Sequence, residues 1–296
     1  MGAPKLITQN ILQKFEEFPS LPAIVYELSQ IINDPMSSTN EVERVMLQDL
    51  GMTTKVLKLA NSAYYAIPGG VSSLARAIAF IGFDTIHQLV LSSSIIKSLE
   101  IKDNAKFSAS EFWRHSLGVA IAAETIGKHV NHPSPSDLFT GGLIHDMGKI
   151  VLYVVSSESL IYIAEECSKT KKSFLSVEEE IGQIPHTELG KLLAEKWRLP
   201  KSMQVASKYH HEKDSKKRGG ISNDLSQNVD VLYLANLLIH ALKFGNSGHS
   251  QIIGASNEVL ERLMIDPQKD MGTIVKKIKT ALESAEDFIK LITSIP

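Results

Sequence analysis

Apolar residues recur at spacings of three and four along nearly the whole chain, and no stretch alternates with period two. This constrains the fold more than any other property, because a helical period cannot place its apolar set on one face of a strand. The expected class is all-α, a multi-helix bundle. Pro22 opens a helix with Ile24, Val25, Leu28, Ile31 and Ile32 on one face, and Asn33-Asp34-Pro35 ends it, since proline cannot continue the hydrogen-bond ladder. Ser38 or Thr39 caps a second helix. Residues 52–60 form a third that ends at Asn61-Ser62-Ala63-Tyr64-Tyr65, residues 74–81 a short one closed by Gly82, and residues 85–99 a longer apolar one.

The polar stretch from Lys102 to Ser110 separates this group from a second. The expected organisation is an N-terminal helical subdomain over 1–105, a helical core over 106–250 and a C-terminal helical extension over 251–296. In the core, helices are expected from Ala109 or Glu111 to His129, around 141–155 after an N-cap at Asp137, and over 157–169, 176–182, 185–197, 200–210 and 230–244. Residues 213–227 read as one long polar loop. Its basic run Lys213, Lys216-Lys217-Arg218, like Lys169 with Lys171-Lys172, reads as solvated charge.

The net charge of -2 supplies no basic field for nucleic acid or an anionic membrane, so neither is expected as a partner. With one cysteine, Cys167, no intrachain disulfide and no multi-thiolate zinc site is possible. The N-terminus has no apolar signal segment, and no run of 18 uncharged apolar residues occurs. A cytoplasmic protein is expected.

Chemistry concentrates in the second group. His145 and Asp146 stand side by side in Thr140-Gly-Gly-Leu-Ile-His-Asp-Met-Gly-Lys149, in a segment that reads as the start of a buried helix. Burying an imidazole beside a carboxylate costs several kcal/mol, on the order of 2–7 kcal/mol per unpaired polar group, unless a cation or a hydrogen-bond network compensates. His115, His186 and the triplet His210-His211-Glu212 also fall at helix ends, next to apolar positions. Imidazoles and a carboxylate converging from separate helices suit iron, manganese, nickel or zinc.

The order His115, His145-Asp146 with Gly148-Lys149, His186 in His-Thr-Glu-Leu-Gly and His210-His211-Glu212 resembles the HD superfamily of metal-dependent phosphohydrolases, in particular its branch with two or three metals. Phe18-Pro-Ser-Leu21-Pro22, Gln48-Asp49, Asn61-Ser62-Ala63-Tyr64-Tyr65 and Ala77-Ile78-Ala79-Phe80-Ile81-Gly82 resemble the HDOD domain, a regulatory relative of the HD fold. The resemblance implies an HD-like helical core. It also implies that Asp146 bridges two cations, with His186, His210 and His211 completing one position and His115 and His145 the other. The family's last ligand, an aspartate, falls on Asn236, which brings no charge. The position made by His186, His210, His211 and Asp146 is therefore expected to be the better occupied. Glu111, one helical turn before His115, is a candidate replacement carboxylate, and Glu212 a further candidate ligand or supporting residue. Lys149 lies within reach of the same site, either to hold a phosphate oxygen or orient Asp146, or as a lysine snorkelling from an apolar helix.

Two functions follow. One is a bacterial signalling module that meets an unknown protein partner and keeps a retained or partly degenerate metal site. The other is a metal-dependent phosphohydrolase acting on a nucleotide or cyclic dinucleotide, with Asp146 and Lys149 as catalytic residues. Cyclic-di-GMP phosphodiesterases of the resembled branch carry Gly-Tyr-Pro after the His-His-Glu triplet. Lys213-Asp-Ser-Lys-Lys-Arg-Gly-Gly220 lacks the tyrosine and proline. That gap, the HDOD signature and Asn236 favour the signalling module.

Overall fold

The computed structural model describes residues 14–32, 34, 37–99, 101 and 107–293. The expected all-α class is the one adopted. In chain order the helices are α1 (Ala23–Ile32), α2 (Thr39–Met46), α3 (Leu50–Ala60), α4 (Leu74–Ser98), α5 (Ala109–His129), α6 (Pro135–Ile144) and α7 (Met147–Val155). They continue as α8 (Ser157–Thr170), α9 (Phe174–Glu180), α10 (His186–Lys196), α11 (Lys201–Tyr209), α12 (Asn223–Leu242), α13 (Asn257–Arg262), α14 (Met271–Ser284) and α15 (Glu286–Thr293). The stop expected at Asn33 and Pro35 and most of the polar stretch from Lys102 lie outside the described residues.

Two compact units separate. One comprises the residues up to 19 with 101–278, the other 20–100 with 279 onward, so the segment 251–296 divides between them. In the second unit Leu28, Val42, Met46, Val56, Leu59 and Phe288 are buried. Each such side chain contributes roughly 1.5–3 kcal/mol. The Asn61 motif has a concrete task here. Its amide accepts from Val71 N (2.7 Å) and donates to Val71 O (2.8 Å), pinning both backbone groups of the loop that returns the chain to α4. Gly82 does not end a helix outright but breaks α4 internally, at φ 81° and ψ 164°, a conformation open to glycine at little cost.

In the first unit Phe112, Leu117, Phe139, Leu143, Leu189 and Trp197 form part of the core around α5, α6, α7 and α10. Pro135–Val155 and Leu74–Ser98 are long and apolar enough to cross a membrane by composition alone, and 89% of the former's most apolar window is buried inside the protein. The loop expected over 213–227 is ordered differently. A 3-10 turn fills Ser215–Lys217, and α12 begins at Asn223, two turns earlier than the periodicity predicts.

Arg218 is not a solvated charge: it is fully buried. Its guanidinium donates to Glu212 O (2.7 Å), Ser226 O (2.9 Å) and Asp230 Oδ1 (2.6 Å), and Arg262 closes on the same carboxylate at 2.8 Å. The planar fork of donors suits arginine to this latch, and a buried carboxylate needs it. The latch anchors the chain directly after His210-His211.

Candidate metal centre

His145 and Asp146 occupy the break between α6 and α7, not the start of a helix. Pro135 sits at the first position of α6 behind Ser134, so Asp137 falls in the first turn rather than capping it. The break has a geometric consequence. Consecutive residues on an unbroken helix point about 100° apart, whereas here His145 Nε2 lies 3.3 Å from Asp146 Oδ2. Gly148 then lets α7 run backbone against backbone with α10: a Cβ at Gly148 would lie 1.8 Å from His186 O and 2.6 Å from Gly190 N. That approach sets His186 beside Asp146.

Around Asp146 Oδ1 stand His186 Nε2 at 3.3 Å and His210 Nε2 at 3.5 Å, and His211 Nε2 is 3.2 Å from His186 Nε2. Asp146 Oδ1, His145 Nε2 and His210 Nε2 are buried without a hydrogen-bond partner. Ligands held about 2.1 Å from one ion at angles of 90–109° sit about 3.0–3.4 Å apart, close to these separations. The orphaned atoms and the spacing fit a metal ion. Two groups can hold one: Asp146, His186, His210 and His211, and His115, His145 and Asp146.

The outer ring nitrogens fix which lone pairs face inward. His145 Nδ1 donates to Gly142 O (2.6 Å), His210 Nδ1 to Ser207 O (3.0 Å) and His186 Nδ1 to Glu178 Oε2 (2.7 Å), leaving Nε2 of each toward Asp146. Burial pushes His210 down to about 4 and holds His115 and His211 well below the ordinary histidine value. Those imidazoles are neutral at pH 7 and keep their lone pairs. Burial lowers His186 too, but Glu178 and Asp146 outweigh it and its pKa is raised. For Asp146, burial raises the pKa, yet Lys149 and His145 overcome it and hold the carboxyl well below its ordinary value. Lys149 does not snorkel. Its buried Nζ donates to Asp146 Oδ2 (2.7 Å) and Ser247 Oγ (3.2 Å) and lies 4.8 Å from the Phe174 ring centroid.

Glu178 is a supporting residue with no signal in the sequence. It is fully buried, seven residues before the start of the expected helix over 185–197, and it also accepts from His186 N (2.9 Å). Glu178→Gln keeps the shape but offers one acceptor where two donors converge. Metal affinity is expected to fall by about 10- to 100-fold, read by competition with a chelator.

The second group differs from expectation at several positions. Glu111 is exposed and its carboxylate belongs to neither group; its carbonyl accepts from Asn246 N (3.0 Å). The carboxylate of Glu212 accepts from Asp214 N (2.8 Å), an arrangement that shapes the turn. Asn236 Oδ1 faces His115 Nε2 at 3.1 Å. His240 and His249, which show no partner pattern in the sequence, extend this side: the His240 ring lies 4.5 Å from that of His115, and the His249 ring 4.2 Å from that of His240. His240 Nε2 and both nitrogens of His249 are buried without a partner. The four-residue step from Asn236 to His240 is a signal that sequence carries; nothing marks His249, which arrives on the loop after α12. His87, paired with Ser29 Oγ at 2.8 Å, and His132, paired with Asn228 Oδ1 at 2.7 Å, are structural.

A divalent ion at each group would share the single carboxylate of Asp146, which would leave the His115 position short of negative charge. Asn236→Asp is expected to tighten the second equivalent of metal at least about tenfold in calorimetric titration, since one unit charge at 4 Å contributes on the order of kilocalories even in a polar protein environment.

The HDOD domain family model matches residues 18–213. An uncharacterised protein of Treponema pallidum (strain Nichols) is 20% identical over 281 residues, and the chain spans about half of that relative: 95% of this chain and 52% of the relative are covered. A Geobacter sulfurreducens HDOD domain protein of unknown function shares the fold at TM-score 0.71 and 22% identity, covering 96% of this chain and 95% of that one. So does a phosphohydrolase candidate from Shewanella amazonensis SB2B, at 0.71 and 20%, covering 96% and 98%. A candidate signal transduction protein from Marinobacter aquaeolei VT8 gives 0.77 and 17%, covering 99% of this chain and 63% of that one.

Proposed function

The chain belongs to the HDOD domain family, and on that premise we propose that it is a regulatory module of a bacterial signalling system whose His-Asp centre holds a divalent transition metal as a structural element. The observation that carries this reading is enclosure. The side chains of His145, Asp146, Lys149, His186 and His210 are at most 1% exposed. The ammonium of Lys149 lies on Asp146 Oδ2, where a substrate phosphate would compete for the same cation.

Asp146, His186, His210 and His211 hold the ion in this reading, and the nitrogen-rich donor set selects iron, manganese, nickel or zinc over magnesium and calcium. A bound ion supplies a crosslink between the α6–α7 break, the start of α10 and the end of α11. Because the ion binds the folded chain and not the unfolded one, it adds stability that rises with the logarithm of its concentration. The regulatory output then travels through a protein partner.

A second reading, a metal-dependent phosphohydrolase, is favoured by the partial exposure of His211, which leaves one edge of the centre open to a phosphate oxygen. When bound, the cation would supply Lewis-acid chemistry, and Lys149 would orient the phosphate. Metal analysis of protein purified without added metal, followed by hydrolysis assays on bis-p-nitrophenyl phosphate and cyclic dinucleotides, separates the two. The regulatory reading expects retained metal without turnover. Turnover that disappears in Asp146→Ala would overturn it in favour of the hydrolase.

A further inference from the structure

The unit formed by residues 20–100 and 279 onward contains a cavity of about 580 Å³, lined from α3, α4 and α15. It shares no residue with the metal centre. Three lysines edge it: Lys55 and Lys58, one turn apart on α3, and Lys97 in the last turn of α4. Lys58 and Lys97 are exposed, and neither has an ion-pair partner among the described residues. Lys55 is half-buried and donates to Ile292 O at 3.1 Å. Burial, and then the neighbouring charge of Lys97, lower its pKa below the usual lysine value.

The lining carries one carboxylate, Asp49, which already accepts from Met52 N at 2.8 Å as the cap of α3. Three cations against one anion leave the cavity with an excess of positive charge. Ser93 lines it from α4, 1% exposed, with its hydroxyl lacking any hydrogen-bond partner. A buried hydroxyl left without a partner costs roughly 1–3 kcal/mol, so a ligand that bonds to it recovers a deficit already present. Leu50, Met52 and Leu291 supply an apolar wall, and the hydroxyl of Thr54, which also lines the cavity, is already bonded to Leu50 O at 2.8 Å.

We propose that this cavity binds a small amphipathic organic anion. Its carboxylate, sulfonate or phosphate is held by Lys55, Lys58, Lys97 and the Ser93 hydroxyl, and its apolar body lies against Leu50, Met52 and Leu291. The volume lies within the range of small-molecule sites, roughly 300–1,000 Å³. Neither half of the lining explains the ligand alone: a bare anion leaves the apolar wall wet, and a neutral hydrocarbon leaves the lysines facing one another.

The test uses the full chain and 8-anilinonaphthalene-1-sulfonate, whose fluorescence rises in apolar surroundings. Saturable binding at one equivalent is expected, weakening with added salt as the lysine charges are screened. N-phenyl-1-naphthylamine, the same ring system without the sulfonate, should bind at least tenfold more weakly. The double substitution Lys58→Met with Lys97→Met should weaken the sulfonate about tenfold or more with no change in thermal midpoint, because both side chains are exposed. Lys276→Met with Lys277→Met, on exposed positions of α14, should leave it unchanged. Equal binding of the neutral probe, or binding by the Lys58/Lys97 variant within twofold of the unsubstituted chain, would overturn the proposal. Neither result bears on the metal centre.

Discussion

Asp146→Ala is expected to reduce bound metal to less than a tenth and to destabilise the protein by about 3–5 kcal/mol, the cost of leaving a buried charge without its partner. Both effects come from one position. Asp146 is the carboxylate common to the two ligand groups, so its loss removes the negative charge from each. It is also the counterion of Lys149, which is fully buried and whose other neighbours, the Ser247 hydroxyl and the Phe174 ring, carry no charge. The two effects separate in the double variant Asp146→Ala with Lys149→Met, where no buried ammonium remains. Thermal stability of that variant should return most of the way, while metal binding stays lost. If metal binding returned together with stability, the carboxylate would be a structural counterion and not a ligand.

Gly148→Ala is expected to be worse still for folding: either no soluble protein or a loss of more than about 4 kcal/mol, in the exceptional tail of single substitutions. The added methyl carbon would lie 1.8 Å from His186 O and 2.7 Å from His186 C, and both are backbone, so no side-chain rotation relieves the contact. Helices α7 and α10 would have to move apart, which displaces His186 from Asp146. Metal binding should therefore fall in any fraction that folds. Gly272→Ala is the matched comparison: nothing lies within 4 Å of its added carbon, and its backbone is helical. It should be neutral, or stabilise by up to about 1 kcal/mol. Equal effects of the two substitutions, measured by urea denaturation, would contradict the close approach of α7 and α10.

The helical class and most helix positions were legible because burial imposes a period that the sequence repeats. Pro22 ahead of α1 and the capping segment before α2, where Ser38 N donates to Glu41 at 2.8 Å, are local signals of the same kind. Adjacent histidine and aspartate gave the site's existence but not its geometry. The apolar run around them read as one helix, and the break that turns both side chains inward depends on packing against α10. Glu178 was invisible because its partner, His186, is reached through a turn rather than a periodic step. His249 was invisible because the loop after α12 folds back onto the head of α5, where Asn246 N meets Glu111 O. Arg218 read as solvent charge because its neighbours Lys216 and Lys217 are exposed; only tertiary contact with Asp230 distinguishes it.

The lone thiol gives the metal assignment a sharp negative control. Cys167 is buried, lies in neither ligand group, and burial pushes it up to about 11, so it stays protonated at neutral pH and is a poor ligand. X-ray absorption on the protein loaded with one equivalent of zinc therefore tests the central claim most directly. A first shell of nitrogen and oxygen at about 2.0–2.1 Å, with the outer-shell scattering of imidazoles and no sulfur, is the predicted spectrum. An all-oxygen shell without imidazole scattering, or a sulfur ligand at about 2.3 Å, would contradict it.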